Sequence, residues 1–244
     1  MSGLNRHPAK VLSVEIWTVG SNPTPSTKFN LEMKSYIETI NIGEYSFDLH
    51  KNPGVVCSGG ADSSILLYIL MKFSKSPVNI YSLASKEKFR SVARISHMVI
   101  SKCMDLTTRS DINHHILYTE VQNNQLLFSK PNFDLKNNVV DIVYTGLTLI
   151  PPLDICKTFT NQVSESIIKE RDPNKIHTMY LGPYYRPFIN MNKKQIKELY
   201  DILDVTETLF PITRSCESYT QDDGHCGNGC WWCEERFWGF GRLN

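Results

Sequence analysis

The sequence predicts an α/β fold built on a mostly parallel, doubly wound sheet. Strand-like apolar runs alternate with segments of helical periodicity from residue 54 onward, and a glycine turn joins the first of these strands directly to a helix. Parallel strands need crossover connections, so this alternation places helices on both faces of the sheet. The 244 residues are enough for one such domain with a small appendage.

Each element follows from its local pattern. Apolar runs predict strands at residues 11–19, 55–57, 78–84, 115–121 and 139–149. Apolar residues at helical spacing predict helices at residues 62–73, 89–104, 159–170 and 191–203, the last with Asn192 as its N-cap. The Asn-rich stretch 122–138 predicts a loop with a short helix. We divide the chain into an N-terminal extension or set of edge strands (1–50), an α/β domain (51–210) and a cysteine-rich tail (211–244).

Composition and charge narrow the functional classes. The 26 Lys and Arg residues against 25 Asp and Glu residues give a net charge of +1, which argues against stable binding of nucleic acid. The sequence has no apolar run of the roughly 18 residues that a membrane span needs, and no signal-peptide pattern, so we expect a cytoplasmic protein. The oligomeric state stays open, with a homodimer among the options.

The glycine turn at residues 58–63 (Ser-Gly-Gly-Ala-Asp-Ser) is the strongest candidate for a binding site. Where a strand ends and a helix begins, several backbone N–H groups lack partners and can bind an anion. Gly59 and Gly60 let phosphate oxygens approach the main chain, and Ser58 and Ser63 add hydroxyl donors. Asp62 fits either an N-cap role or coordination of Mg²⁺. The alternative is a purely structural role, as an ordinary left-handed turn before a capped helix.

The tail carries the second candidate site, at Cys216, Cys226, Cys230 and Cys233. Four thiolates complete the tetrahedral coordination of a structural Zn²⁺. Two disulfides, a redox pair or an iron–sulfur cluster are the alternatives, and iron–sulfur is the closest rival because cysteine ligation alone does not separate it from zinc. His225 adjoins a ligand. We expect the aromatic residues of the tail to pack it onto the domain, with base stacking as the alternative: Trp231, Trp232, Phe237, Trp238 and Phe240.

The turn lacks the Gly-Lys-Ser/Thr ending of a Walker A loop and the three spaced glycines of a dinucleotide-binding loop. Its pattern resembles that of the PP-loop ATP pyrophosphatases, which have an adenine nucleotide alpha-hydrolase-like fold. The resemblance implies cleavage of ATP between the α and β phosphates, with Ser58, Asp62 and Ser63 in catalysis. It also implies that the nucleotide is bound by Cys57, Ser58, Gly59, Gly60, Ala61, Asp62, Ser63 and Ser64.

Within that superfamily, residues 185–196, 213–216 and 226–240 look like the 7-cyano-7-deazaguanine synthase family of queuosine biosynthesis. The resemblance implies an ATP-dependent carbon–nitrogen ligase that converts 7-carboxy-7-deazaguanine and ammonia to the nitrile, releasing AMP and pyrophosphate. ATP, Mg²⁺ and Zn²⁺ are the implied cofactors. Isolated cysteines such as Cys57 also have a simpler explanation as small core residues. Lys86, Lys88 and Arg90 either assist phosphate binding or form a solvated basic face.

The chain departs from this family at three places. One extra residue separates Cys226 from Cys230, residues 151–156 match the substrate-side motif only faintly, and residues 1–50 have no recognised counterpart. Two other classes therefore compete: another PP-loop enzyme, such as a tRNA-thiolating enzyme or a sulfate-nucleotide reductase, and a non-catalytic nucleotide-binding module. A thiolating enzyme needs a catalytic cysteine outside the tail, for which Cys103 and Cys156 are the candidates.

Overall fold

The computed structural model describes residues 14–18, 37–85, 90–119, 127–216 and 229–244. Its strands are β1 (Val14–Thr18), β2 (Ile37–Ile42), β3 (Tyr45–His50), β4 (Pro53–Val56), β5 (Val78–Ser85), β6 (Ile112–Thr119), β7 (Ile142–Tyr144), β8 (Tyr180–Leu181) and β9 (Tyr184–Tyr185). Its helices are α1 (Ala61–Phe73), α2 (Arg90–Thr107), α3 (Ser129–Lys136), α4 (Leu153–Cys156), α5 (Glu165–Glu170), α6 (Lys193–Ile202) and α7 (Trp231–Phe240), with a short 3-10 helix at Phe210–Ile212.

The predicted α/β fold with a mostly parallel sheet is confirmed. Seven strands form one sheet in the order β1-β6-β5-β4-β7-β9-β8, and β8 is the one strand of this sheet that pairs antiparallel within the described residues. Strands β2 and β3 form a separate antiparallel hairpin that turns at Gly43, whose φ is +60°. The sequence analysis did not predict this hairpin.

Helices pack on both faces of the sheet. Consecutive strand residues point to opposite faces of a sheet, so the side chains of Val55 and Val56 in β4 lie on opposite faces. Val55 packs in the large core cluster with Ile65 of α1 and with apolar residues of α2 and α6. Val56 packs in a second cluster with Val143 of β7 and Leu135 of α3. Residues of β4 and β7 are buried throughout, as expected for strands that are covered on both sides.

The strand order reverses at β4. The chain passes from β4 through α1 to β5 on one side, and it later returns through α3 to β7 on the other side of β4. Because α1 and α3 lie on opposite faces, the segments that follow β4 and β7 diverge and leave a crevice at the carboxyl ends of the strands. Ligands of open α/β sheets bind in such crevices, so the fold places the glycine turn after β4 at a favoured position.

Several predicted boundaries need correction. The strand predicted at residues 139–149 is confined to Ile142–Tyr144, because the chain then turns toward the start of α1. The helix predicted at residues 159–170 is confined to Glu165–Glu170. The backbone N–H groups of Thr160 and Asn161 instead donate to the carboxylate of Glu234 at 2.7 and 3.3 Å.

The helix predicted at residues 191–203 is confirmed as α6, and its cap is a complete capping box. Asn192 accepts from the backbone N–H groups of Lys194 and Gln195, while the Gln195 side chain accepts from the backbone N–H of Asn192. Each helix in the described part of the chain is too short or too polar to cross a lipid bilayer.

Candidate nucleotide site and cysteine cluster

Residues 57–60 form a tight turn between β4 and α1. Gly59 has a φ of +78°, whereas Gly60 is extended and serves as the N-cap of α1 without any side-chain cap hydrogen bond. A Cβ at Gly59 would lie 2.7 Å from the Ile95 Cγ2 and 3.0 Å from the Ser96 backbone nitrogen. The turn therefore requires glycine at position 59 both for its backbone angle and for its packing against α2.

The predicted serine hydroxyls meet at this turn. The Ser58 and Ser63 Oγ atoms lie 3.1 Å apart, and the Ser63 Oγ accepts from the Ser58 backbone N–H at 3.2 Å. The Gly60 N–H donates to the Ser58 Oγ at 3.3 Å. Ser64 is fully buried and donates its hydroxyl to the Gly60 carbonyl at 2.7 Å. Ser58 and Ser63 thus line the site, while the buried Ser64 stabilises the turn through its hydrogen bond to Gly60.

Asp62 does not cap the helix, so the N-cap alternative in the sequence analysis is wrong. The helix begins one residue earlier, at Ala61, and the Asp62 Oδ2 forms an ion pair with the ammonium of Lys193 at the start of α6. The Asp62 Oδ1 is buried and has no hydrogen-bond partner among the described residues. One carboxylate oxygen is therefore available for a cation, which is the other role predicted for this residue.

Cys57 and Ala61 contribute through the backbone. Both side chains are buried in the core, and burial raises the pKa of the Cys57 thiol to about 11. The Cys57 N–H donates to the Tyr81 carbonyl at 2.9 Å, and its own carbonyl accepts from the Ser82 hydroxyl at 3.0 Å. Cys57 therefore carries a neutral thiol at neutral pH and fixes the end of β4.

A cavity of about 590 Å³ opens at this turn, within the range usual for small-molecule sites. The turn and the first residues of α1 form one wall through Ser58, Asp62 and Ser63. The segment after β7 forms another through Thr145 and Gly146. The cavity thus occupies the crevice where the strand order reverses, directly beside the turn.

The far part of the cavity combines apolar rings with a few charged groups. Phe128, Leu181 and Tyr184 line it, and Arg186 and Glu170 supply opposite charges. The Arg186 Nη2 donates to the Thr178 carbonyl at 2.7 Å, whereas its Nε is buried without a hydrogen-bond partner in the described part of the chain. An unsatisfied guanidinium nitrogen in a cavity wall is a suitable donor to a carboxylate or phosphate.

Three residues without an assigned role in the sequence analysis also shape the site. A Cβ at Gly146 would lie 2.9 Å from the Ser63 backbone nitrogen, so only a glycine permits this close approach to α1. Arg214 donates its backbone N–H to the Gly59 carbonyl at 2.8 Å. Lys193 holds Asp62. Lys193 and Arg214 lie in two of the three segments that carry the family resemblance, and that resemblance was the available signal for them. No signal in the sequence pointed to Gly146.

The tail brings Cys216, Cys230 and Cys233 together, with their Sγ atoms all within 4.8 Å of one another. The Cys216 and Cys230 Sγ atoms are 3.8 Å apart, well beyond the 2.05 Å of a disulfide bond. Thiolates 2.3 Å from a tetrahedral zinc ion lie about 3.8 Å apart, so the three residues fit a metal site. They could hold zinc or an iron–sulfur cluster. The fourth predicted ligand, Cys226, lies outside the described residues, as do His225, Lys86, Lys88 and the side chain of Arg90.

The aromatic residues of the tail fasten α7 to the domain, as predicted for most of them. Trp231 packs with Phe159 in a small buried cluster that Trp232 and Trp238 partly cover. Phe240 stacks on Phe210, with ring centroids 4.0 Å apart. Phe237 is the exception, because its side chain is 57% exposed.

Comparisons with known proteins find weak similarity to solved structures. No protein-family model and no curated protein matches this sequence. Among solved structures, the chain is similar to NMN synthetase from Francisella tularensis, with 15% identity, a TM-score of 0.37, and coverage of 65% of this chain and 64% of that one. It is also similar to the U34-tRNA thiolase NcsA from Methanococcus maripaludis with its [4Fe-4S] cluster, with 11% identity, a TM-score of 0.36, and coverage of 78% and 63%. The chain therefore spans less than two-thirds of the length of either protein.

Proposed function

We propose that this chain is a PP-loop ATP pyrophosphatase that adenylates a small carboxylic acid. The supporting observation is the turn at residues 58–63, at the wall of a cavity where the strand order reverses. It carries two serine hydroxyls and the Asp62 Oδ1, which has no hydrogen-bond partner in the described part of the chain. Phosphate oxygens would bind at the turn and the first N–H groups of α1. A Mg²⁺ ion on Asp62 would neutralise charge on the departing pyrophosphate.

The proposed substrate is 7-carboxy-7-deazaguanine, converted with ammonia to the nitrile. A carboxylate oxygen attacks the α-phosphorus of ATP and releases pyrophosphate, and ammonia then displaces AMP to give the amide. The amide oxygen attacks a second ATP in the same way, and loss of AMP with the amide protons leaves the nitrile. Arg186 and Glu170 line the cavity, and in this proposal Arg186 binds the substrate carboxylate and Glu170 accepts hydrogen bonds from N–H groups of the ring.

Thiolation chemistry is less well supported by the cysteines outside the tail. Cys103 and Cys156 are both buried, and burial raises the pKa of the Cys103 thiol well above its ordinary value and that of Cys156 to about 11. A thiol with a raised pKa is a poor nucleophile at neutral pH because the thiolate is the reactive form. These residues therefore match core packing better than sulfur transfer.

We also propose that the tail cysteines bind zinc. The three described Sγ atoms are close enough to share one ion, whereas each cysteine of a [4Fe–4S] cluster ligates a different iron and only two cysteines share each iron of a [2Fe–2S] cluster. Cys226 would be the fourth ligand. Such a site is structural, because four thiolates leave no position for water.

Pyrophosphate release from ATP in the presence of the acid and ammonia tests the proposed function. Ser58→Ala and Asp62→Asn should each lower the rate about a hundredfold or more, the usual effect of removing a group that stabilises the transition state. Asp201→Asn is the matched control, because it removes an exposed carboxylate whose lysine partner, Lys197, lies on the outer surface of α6. Parental rates in both site variants would contradict the assignment, and turnover that requires tRNA would favour a thiolating enzyme.

A further inference from the structure

A chain of buried charges connects the candidate nucleotide site to the cysteine-bearing helix. The Lys193 ammonium pairs with the Asp62 Oδ2 and also lies 3.7 Å from the Glu235 Oε2. The Glu235 Oε1 accepts from the Arg171 Nη2 at 2.5 Å. The side chains of Lys193, Glu235 and Arg171 are at most 5% exposed, and that of Asp62 is 17% exposed. Four charges of alternating sign thus run from Arg171, at the end of α5, through Glu235 on α7 and Lys193 on α6 to Asp62 in the first turn of α1.

This arrangement is costly as a purely structural device. Removing charged groups from water carries a large desolvation penalty, and well-packed apolar residues often stabilise a core as well as or better than a buried ion pair. This series of charges also ends at the candidate nucleotide site. Asp62 lines the cavity, and its second carboxylate oxygen has no partner among the described residues. The charges therefore act on a group that the proposed function uses.

Helix α7 packs directly against the backbone of Lys193. A Cβ at Gly239 would lie 2.3 Å from the Lys193 Cβ and 3.0 Å from its carbonyl oxygen, so α7 contacts the start of α6 with no free space. Glu235 lies one turn before Gly239 on the same helix, and Cys233 lies two residues before Glu235. One rigid element thus carries a candidate metal ligand, the carboxylate that pairs with Lys193, and the glycine that fixes the Lys193 backbone.

We propose that Glu235 is a positioning residue for the nucleotide site and keeps Asp62 able to bind the cation of the nucleotide. The inference rests on the proposed function. Lys193 lies between two carboxylates, so its positive charge is shared and Asp62 keeps part of its negative charge. Without the Glu235 charge, the ammonium would neutralise Asp62 more completely, and the Asp62 Oδ1 would become a weaker ligand for a divalent cation.

Glu235→Gln tests this idea because it removes the charge and keeps the size of the side chain. Binding of α,β-methylene-ATP, which cannot be cleaved between the α and β phosphates, is measured by calorimetry over a range of Mg²⁺ concentrations. We expect the Mg²⁺ concentration for half-maximal binding to rise at least about fivefold, the lower end of typical coupling between sites. Binding measured in EDTA should change less, because Asp62 acts through the cation.

A double-mutant cycle separates positioning from general destabilisation. In a Lys193→Gln background, Glu235→Gln should have little further effect on Mg²⁺ dependence, because the residue through which it acts is gone. Glu207→Gln is the control, since it removes an exposed carboxylate paired with Arg242 and should leave the Mg²⁺ dependence unchanged. Additive effects in the cycle, or a parental Mg²⁺ dependence for Glu235→Gln, would overturn the inference.

Hydrogen exchange on the parent protein gives a test that does not depend on the folding of a variant. Addition of Mg²⁺ and α,β-methylene-ATP should slow exchange in residues 231–240 as well as in residues 58–66. Protection of the turn without protection of α7 would overturn the role of Glu235 and leave the proposed function intact. Failure of the parent protein to bind the nucleotide analogue would overturn both.

Discussion

Gly59 shows how one residue can satisfy two independent constraints at the turn between β4 and α1. Its φ of +78° is in the region that residues with a Cβ avoid, and a Cβ there would contact Ile95 and the Ser96 backbone on α2. The turn is therefore shaped from within by its backbone angle and from outside by the neighbouring helix. Both constraints act on the N–H groups to which the proposed function assigns phosphate binding.

Gly59→Ala should lower the free energy of unfolding by about 2–5 kcal/mol, from backbone strain and overpacking together. Nucleotide binding should fall at least tenfold in the same variant. Gly182→Ala is the matched control, because Gly182 also has a positive φ, of +57°, but a Cβ there would meet no atom within 4 Å. Denaturant unfolding and calorimetry give both values, and equal effects of the two substitutions would contradict the packing argument.

Asp62 illustrates what local sequence can and cannot reveal. The motif identified the residue and gave it two possible roles, as an N-cap or as a ligand of Mg²⁺. Both roles depend on neighbours within the first helical turn, which the local sequence contains. Its partner Lys193 is 131 positions away along the chain, and a long-range contact of this kind has no local signature. The same limit applies to Gly146, whose requirement for glycine arises from a backbone that approaches it only in the folded protein.

At the level of elements, predicted helices and strands were most accurate where the local pattern was complete. Helix α6 has periodic apolar residues and a full capping box, and its predicted and observed positions agree closely. Residues 159–164 carry apolar residues at helical spacing, yet their N–H groups at Thr160 and Asn161 bond to Glu234 on α7. A tertiary partner here replaced the helical hydrogen bonds, which propensity cannot anticipate.

Metal binding by the tail gives a prediction for α7 as a unit. Purified protein should contain about one zinc ion per chain, and Cys233→Ser should lose it. Because Trp231 on the same helix is only 5% exposed, loss of the metal should also shift tryptophan emission to longer wavelength as α7 detaches.

Cys103→Ser provides the control for this experiment. Cys103 is fully buried in the main core, away from the tail cluster, so zinc content should stay at the parental level. Iron and sulfide in place of zinc would contradict the zinc assignment. Unchanged zinc content in Cys233→Ser would contradict the ligand assignment.

At the scale of the whole molecule, the sheet class followed from the sequence but the strand order did not. Alternating strands and helices predicted parallel pairing, which all but one strand of the main sheet shows. Strands β8 and β9 have two residues each, too few to show a periodic pattern. The position of the site could be derived only once the reversal at β4 was known, because that reversal depends on which strands are neighbours.

The stability of the whole molecule should depend on pH through His114 in β6. Its side chain is 1% exposed, and burial, followed by the neighbouring His97 and His115, lowers its pKa from 6.5 to about 4. The folded protein thus holds a neutral ring that accepts a proton more easily when unfolded. The resulting stabilisation is complete above pH 6.5 and is lost as the pH falls from 6.5 to about 4, by up to about 3 kcal/mol.

His114→Gln should remove this part of the pH dependence while keeping a polar atom near the Ser82 hydroxyl, which lies 3.1 Å from the His114 Nε2. Urea unfolding of the parent and the variant at pH 7 and pH 4.5 measures the difference. The gap in stability between the two proteins should narrow at the lower pH. A gap in stability that is the same at both pH values would show that the pKa of His114 does not differ between the folded and unfolded states.

The parallel pairing of β1 with β6 has a consequence for the order of folding. Val14 is in register with His114, 100 positions further along, so β1 finds its neighbour only after all the intervening residues have been synthesised. A nascent chain on the ribosome must carry β1 without its neighbour while β4, α1 and β5 emerge. Completion of that sheet edge is therefore a late event, and long-range pairing of this kind slows folding.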